Sequence, residues 1–176
     1  MADRGSRKKI LKAAAEVAKE AGAGHMSLEA VAARAGLSKG GLLYNFPTKT
    51  ALLKALVEHH LEEFGAKLAR AERDLGGHPN GTAAAYLETY RGEAAAKEKA
   101  AGGILAAIAD DLSLLDPVKD FSRDLIDRIG ADADPVAGMI AYLAVEGLRS
   151  TQLFETDILT RREKEAVLSR LAAMLS

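Results

Sequence analysis

The chain has 176 residues, 48% of them hydrophobic, so it is long enough to form one or two domains with a substantial core. It has no cysteine, which excludes disulfides and cysteine-ligated zinc. Glu16, Lys19 and Glu20 interrupt the apolar residues near its start, and no window approaches the ~18 apolar residues of a membrane span. We therefore expect a soluble cytoplasmic protein with no membrane contact.

Charge is distributed unevenly along the chain. Residues 1–54 carry ten Lys and Arg residues against four acidic ones, a net charge of +6, and residues 55–176 carry fourteen against twenty-one, a net charge of −7. A basic head on an acidic body indicates that the head meets a polyanion. The alternative is a chance imbalance on solvated helix faces.

The first four predicted elements are all helical, because no stretch alternates with the period of a strand. An apolar stripe with helical spacing marks a first helix that runs to about Ala21. Ser27 is a candidate N-cap for a short helix over 27–34, and Ser38 for another over 38–44. Thr48 can cap a helix over 48–74, which would be roughly 40 Å long.

Five more helices are predicted in the rest of the chain, over about 82–99, 103–114, 117–129, 135–156 and 161–175. Asp116 and Asp134 each precede a proline, as an N-cap residue precedes a proline at the first helical position. The stretch from Thr160 to Glu163 matches a capping box. The predicted fold is all-α, with a domain over 1–54, a second over 55–176, and helix 48–74 joining them.

Two short helices around the turn at Gly36 are typical of a helix-turn-helix, whose second helix enters the major groove of DNA. Gly40 and Gly41 would let the backbone of that helix approach DNA closely. The charged and polar residues Ser38, Lys39, Tyr44 and Lys49 could bind phosphates, and Phe46 would fill the small core. The alternative is that the glycine pair marks a surface loop between two helices.

The stretch MSLEAVAARAGLSKGGLLYNFPTKTALLKALV resembles the N-terminal signature of the TetR-type repressors, within a similarity that spans about residues 6–58. The resemblance implies an all-helical homodimer with a three-helix DNA-binding head and a body that binds a small ligand. It also implies that a palindromic operator is bound and that no cofactor or metal is needed. The DNA-contacting residues that it implies, together with two basic residues of the first helix, are Arg7, Lys8, Ser27, Ser38, Lys39, Gly40, Gly41, Tyr44, Asn45 and Lys49.

The body offers candidates for a ligand pocket and for a dimer interface. Aromatic and apolar residues could line a cavity for an unknown small-molecule effector, although a place in the plain core is favoured for any one of them. They are Tyr86, Tyr90, Ile108, Phe121, Met139 and Tyr142. The family dimerises through its last two long helices. Small and apolar residues on one face of each are Ala144, Gly147, Leu148, Val167, Leu168, Leu171, Met174 and Leu175.

Two other classes of protein are alternatives to a regulator. A helical-bundle enzyme that uses a metal or a small molecule needs matching ligands on several helices, and His60 with Glu63 is a pair without an evident second copy. A helical adaptor leaves the basic head and the glycine-bearing second helix unexplained. The sequence therefore favours a non-enzymatic DNA-binding regulator.

Overall fold

The computed structural model describes residues 4–21, 26–95, 111–154 and 156–176. These residues form helices joined by turns, with no strand among them, which confirms the all-α expectation. The α-helices are α1 (Arg4–Ala21), α2 (Leu28–Ala35), α3 (Lys39–Asn45), α4 (Lys49–Asp74), α5 (Gly81–Ala95), α6 (Asp116–Ile129), α7 (Pro135–Leu153) and α8 (Arg161–Leu175). None of the described helices is long and apolar enough to cross a membrane.

The described residues divide into two compact units. The first unit contains the chain as far as Glu62 together with residues 111–119, and the second contains residues 63–95 and the chain from Asp120 onward. Residues 111–119 belong with the first unit because Leu114, in a 3₁₀ turn over Leu112–Leu115, is only 2% exposed and lies in the core of that unit.

The core of the first unit forms where the apolar stripe of α1 meets α2, α3 and the first part of α4. Its largest fully buried side chains are Ile10, Met26, Val31, Leu42, Phe46 and Leu52. The second unit has a core of its own, in which α5 packs against α7 and α8. Its largest fully buried side chains are Leu68, Leu87, Leu125, Ile129, Val145 and Leu175.

Asn80 ties three distant parts of the second unit together. Its side chain is buried, donates to the carbonyl oxygen of Leu175 at 2.8 Å and accepts from the backbone N–H of Asp134 at 2.7 Å. Nearby, the carboxylate of Asp132 accepts from the backbone N–H of Ala83 at 3.0 Å, at the start of α5. These bonds satisfy backbone groups at helix ends that would otherwise be buried without partners.

Gly138 marks the closest approach of α7 to its neighbours. A Cβ atom at this position would lie 2.5 Å from Cγ2 of Ile129 on α6 and 3.2 Å from Cβ of Ala83 on α5. The first distance is far inside van der Waals contact, and Ile129 is fully buried with a stiff β-branched side chain. The three helices can pack this tightly only because residue 138 has no side chain.

Most of the predicted helix starts are confirmed. The hydroxyls of Ser27, Ser38 and Thr48 each accept from the backbone N–H three residues on, at 3.0–3.1 Å. Asp134 caps α7, and both bonds of the capping box between Thr160 and Glu163 are present.

Asp116 is not an N-cap as predicted. It is already in helical conformation, because the 3₁₀ turn before it continues into α6 and is itself capped by Asp111. The predicted helix over 135–156 ends at Leu153. The predicted helices over 82–99 and 103–114 are described only in part. Residues 96–99 of the first and 103–110 of the second, which include Ile108, lie outside the described residues.

Candidate functional site

The turn between α2 and α3 is closed by Gly36. Its φ of +67° lies in the left-handed region, where a residue without a side chain fits best. Its N–H donates to the carbonyl of Ala33 at 3.2 Å, and the next N–H, of Leu37, donates to that of Ala32 at 2.9 Å. This turn joins α2 to α3 through only three residues, Gly36 to Ser38.

Buried side chains hold α3 from one side only. Leu42 is 0% exposed and Phe46, directly after the helix, is 1% exposed, and both lie in the core of the first unit. On the other side of α3, Lys39 and Gly40 are exposed and Tyr44 is 69% exposed. The helix therefore presents a short face with a cation, a bare backbone and a phenol to solvent.

Nothing inside the described structure requires glycine at positions 40 and 41. Both residues lie in the regular helix α3 rather than in the left-handed region. A Cβ atom on Gly40 would lie 4.0 Å from its nearest neighbour, Oγ of Ser38, and one on Gly41 would lie 3.4 Å from the same atom. Both distances are ordinary contacts, so the described part of the fold has room for a Cβ atom at either position.

Ion pairs fix the charged residues around this face. Lys39 Nζ lies 2.6 Å from Glu29 Oε1, which links the start of α3 to α2. Arg34 on α2 makes two hydrogen bonds to the carboxylate of Glu20 on α1, at 2.7 and 3.0 Å, and these bonds hold the pKa of Glu20 below its ordinary value. Sequence reasoning missed both pairs, because their partners lie ten or more residues apart.

Arg7 and Asn45 have partners inside the first unit. The guanidinium of Arg7 lies 4.6 Å from the ring centroid of Phe46, within the range of a cation–π contact. The side-chain amide of Asn45 donates to the carbonyl of Gly41 at 3.0 Å, while its Oδ1 is buried without a hydrogen-bond partner among the described residues. Asn45 thus braces the end of α3.

A second site lies in the second unit, around the guanidinium of Arg149 on α7. This group lies 4.5 Å from the ring centroid of Phe64, 5.7 Å from that of Tyr86 and 5.5 Å from that of Tyr90. All three aromatic residues are at most 4% exposed. Two carboxylates complete the surroundings. We call the set Phe64, Tyr86, Tyr90, Glu93 and Glu146 the cage.

The carboxylates of the cage pair with Arg149 and with Tyr86. Arg149 Nη2 donates to Glu93 Oε2 at 3.3 Å, and its Nε lies 3.7 Å from Glu146 Oε1. The hydroxyl of Tyr86 donates to Glu146 in a short hydrogen bond. Burial, reinforced by the charge of Glu146, raises the pKa of Tyr86, so its hydroxyl keeps the proton that this bond requires.

Comparison with known proteins identifies both units. Residues 10–56 match the family described as bacterial regulatory proteins, tetR family, and residues 80–176 match the tetracyclin repressor-like C-terminal domain. The second match alone covers more than half of the chain. The chain belongs to the TetR family. It is therefore a DNA-binding transcriptional regulator, and membership of this family implies a non-enzymatic transcription factor.

Solved structures share the fold of this TetR-family regulator. The multidrug binding protein EbrR, complexed with imidazole, is 23% identical over 99% of this chain and 92% of its own, with a TM-score of 0.69. EbrR complexed with malachite green is 20% identical over 97% and 98%, with a TM-score of 0.71. SCO1917 of Streptomyces coelicolor A3 is 22% identical over 94% and 97%, with a TM-score of 0.66. No curated protein matches the chain.

The predicted pocket residues of the TetR body fall in different places. Tyr86 and Tyr90 belong to the cage, and Tyr142 packs beside Tyr86 with ring centroids 5.5 Å apart. Phe121 packs edge-on against Phe64 at 5.8 Å. Met139 is 38% exposed. Sequence reasoning missed Arg149, whose one available signal was Glu146 three residues earlier on the same helix face.

The predicted dimer residues also separate into two groups. Leu148, Leu168, Leu171 and Leu175 are at most 6% exposed in the core of the second unit, so little of their surface is accessible in a single copy. Gly147 and Val167 are exposed, and Ala144 and Met174 are half-buried. The structure also shows an exposed apolar stripe on α7 that the prediction did not include, formed by Val136, Met139, Ile140 and Leu143.

Proposed function

We propose that this TetR-family regulator is a cytoplasmic homodimeric repressor. Each copy inserts α3 into the major groove of one half of a palindromic operator, and a small-molecule effector bound in the body releases the DNA. In this proposal, residues 1–54 form the DNA-binding domain and residues 55–176 the ligand-binding and dimerisation domain.

The glycine pair of α3 carries the first part of the proposal. Gly40 and Gly41 have room for side chains within the folded chain, and two glycines weaken a helix by roughly 1 kcal/mol each in its interior. A bare backbone is useful where the helix must approach a base edge or a phosphate. Its neighbours Lys39 and Tyr44 are exposed on the same helix.

The remaining predicted contacts divide into phosphate ligands and braces. We propose that Lys8, Lys39, Tyr44 and Lys49 contact phosphates, since cations and hydroxyls on the rim of a helix-turn-helix position it without reading sequence. On binding DNA, Lys39 would leave its ion pair with Glu29 and contact a phosphate instead. Four other residues act as braces and do not touch bases. Ser27 holds the start of α2, Ser38 and Asn45 hold α3, and Arg7 holds Phe46.

The exposed stripe of α7 supports a dimer. Val136, Met139, Ile140 and Leu143 recur at i, i+3, i+4 and i+7, so they form one continuous apolar face, which exposed Gly147 extends. Two copies of α7, with Val167 of each α8 at the edge, would bury this face in a symmetric four-helix contact. The buried leucines of α8 hold each copy together instead.

Small-molecule control is supported by the buried polar groups of the cage and by the EbrR structures, which contain imidazole and malachite green. An effector that releases DNA must bind the free form more tightly than the operator-bound form, because equal affinity shifts nothing.

Selection of genomic DNA fragments by the purified protein tests the proposal. Bound fragments should share a palindrome, and their affinity should fall steeply with added salt, because bound Lys and Arg release counterions from the phosphates. Binding that is independent of salt, or selected fragments without two-fold symmetry, would contradict it.

A further inference from the structure

We propose that the cage is an exchangeable cation site, and that the effector is a flat organic cation that displaces the Arg149 guanidinium. As an assignment of the effector class, the inference rests on the proposed ligand control.

The composition of the cage selects a cation. Three buried aromatic rings turn toward the position that the Arg149 guanidinium occupies, and the carboxylates of Glu93 and Glu146 flank it. Rings attract cations through their quadrupole, most strongly where water is excluded. An anionic ligand in the same place would meet two carboxylates. Lys67 Nζ, 3.3 Å from Glu93 Oε1, offsets one of these charges, and its side chain is 49% exposed.

The hydrogen-bond donors of Arg149 are incompletely satisfied in these surroundings. Its Nε is buried without a hydrogen-bond partner in the described part of the chain, and its nearest carboxylate oxygen, on Glu146, is 3.7 Å away. Its bond to Glu93 is long, at 3.3 Å. An unsatisfied buried donor costs free energy, so a cation whose donors fit the two carboxylates better gains by replacing it.

The cage does not depend on Arg149 for its shape. Tyr86 donates directly to Glu146, and the Phe64 and Tyr86 rings meet edge-on with centroids 5.9 Å apart. These contacts fix a ring, a hydroxyl and a carboxylate before any cation enters. The walls would therefore persist when the guanidinium leaves.

A surface groove leads to one wall of the cage. The groove measures about 420 Å³ and lies between α4 and α5, where Lys67 and Glu93 are among its lining residues. Glu93 faces both sides, since one carboxylate oxygen pairs with Lys67 in the groove and the other with Arg149 in the cage. The side chain of Arg149 is itself 29% exposed, so it can swing out as a ligand enters.

Titration calorimetry of the full chain with benzamidinium tests the inference, with the neutral isostere benzamide as the matched ligand. The wild type should bind benzamidinium with a Kd at or below about 1 mM and should not bind benzamide. Arg149→Met should bind it about tenfold or more tightly, because the competing tethered cation is gone. Glu93→Gln and Glu146→Gln should each weaken binding about tenfold.

Two further variants guard against misfolding and against general charge effects. Arg149→Lys keeps a charge, but its compact ammonium cannot cover three rings, so its affinity should lie between those of wild type and Arg149→Met. Arg91→Met removes an arginine that pairs with Glu88 and Glu165 outside the cage, and should leave the affinity unchanged. Thermal unfolding of each variant reports whether it is folded.

The results separate this inference from the proposed function. If the wild type does not bind benzamidinium, or binds benzamide equally well, Arg149 is a permanent occupant and the inference is overturned. If salt-sensitive operator binding persists in that case, the regulator function stands alone. If benzamidinium binds as expected and no DNA is bound under any salt condition, the proposed function fails and the cation site remains.

Discussion

Replacing Gly41 should separate an effect on DNA binding from an effect on folding in this regulator. Gly41 is the third residue of α3, in the first turn after the Ser38 N-cap. Its backbone N–H donates to the Ser38 hydroxyl at 3.1 Å. Gly41→Ala places a methyl group 3.4 Å from that hydroxyl oxygen, and Gly41→Leu adds a branched group on the half-buried side of the helix. Neither change forces the backbone out of helical conformation.

The expected effects on stability and on binding have opposite signs. Alanine stabilises a helix interior by about 0.5–1 kcal/mol relative to glycine, so a position in the first turn should gain about 0.5 kcal/mol. For a chain of this size that gain raises Tm by about 1–2 °C. A leucine that overlaps DNA should weaken operator binding at least about a hundredfold, which corresponds to about 2.7 kcal/mol.

Thermal unfolding and operator affinity across a salt series give both quantities. Gly81→Ala is the matched control, since Gly81 also lies in the first turn of a helix, with open space around it in the described structure. Gly81→Ala should raise the Tm only by the small gain in helix propensity, and it should leave the operator affinity unchanged. Normal operator binding by Gly41→Leu would show that α3 does not sit against DNA there. Unfolding by Gly41→Ala would show instead that the glycine serves the fold.

Three further changes test other parts of the structure. Lys49→Ala should weaken binding to all DNA sequences alike and lower the salt slope by about one unit; an unchanged slope in a salt titration would remove Lys49 from the phosphate contacts. Leu143→Asp should give a folded monomer of 18.6 kDa in sedimentation. The control is Leu112→Asp, because Leu112 is equally exposed but belongs to the first unit, and this variant should stay a dimer. If both variants are dimers, the interface does not lie on α7. Asn80→Ala should lower the free energy of unfolding by about 2–4 kcal/mol in denaturant titration, because a buried carbonyl and an N–H lose their partner; a loss below about 0.5 kcal/mol would mean that water replaces the amide.

Helix starts were predictable because their chemistry is local. Ser27, Ser38 and Thr160 bond to backbone groups three residues away, so the pattern that stabilises each cap is readable along the chain. Asp116 shows the limit of the same reasoning. A capping residue before a proline is a sound pattern, but it cannot reveal that a 3₁₀ turn has already started the helix.

That a helix face is buried was easier to predict than which residues it packs against. The apolar face of α8 has a clear helical period, and Leu168, Leu171 and Leu175 of that face lie in the core of their own chain. Periodicity shows that a face is covered and not what covers it. Arg149 was missed for a related reason: a lone charge on a helix is usually solvated, and the rings around it come from α4 and α5.

The contact at Gly138 has a consequence for how the sequence of this regulator can drift. Any side chain at position 138 must displace Cγ2 of Ile129, so a mutation there is tolerated only after residue 129 has lost that methyl group. Positions 129 and 138 should therefore change as a pair among homologues, with alanine or serine at 138 accompanied at 129 by a residue that lacks the Cγ2 methyl group, which valine would retain. The order of the two substitutions is also set, since shrinking residue 129 first leaves a small cavity, whereas filling position 138 first creates a clash.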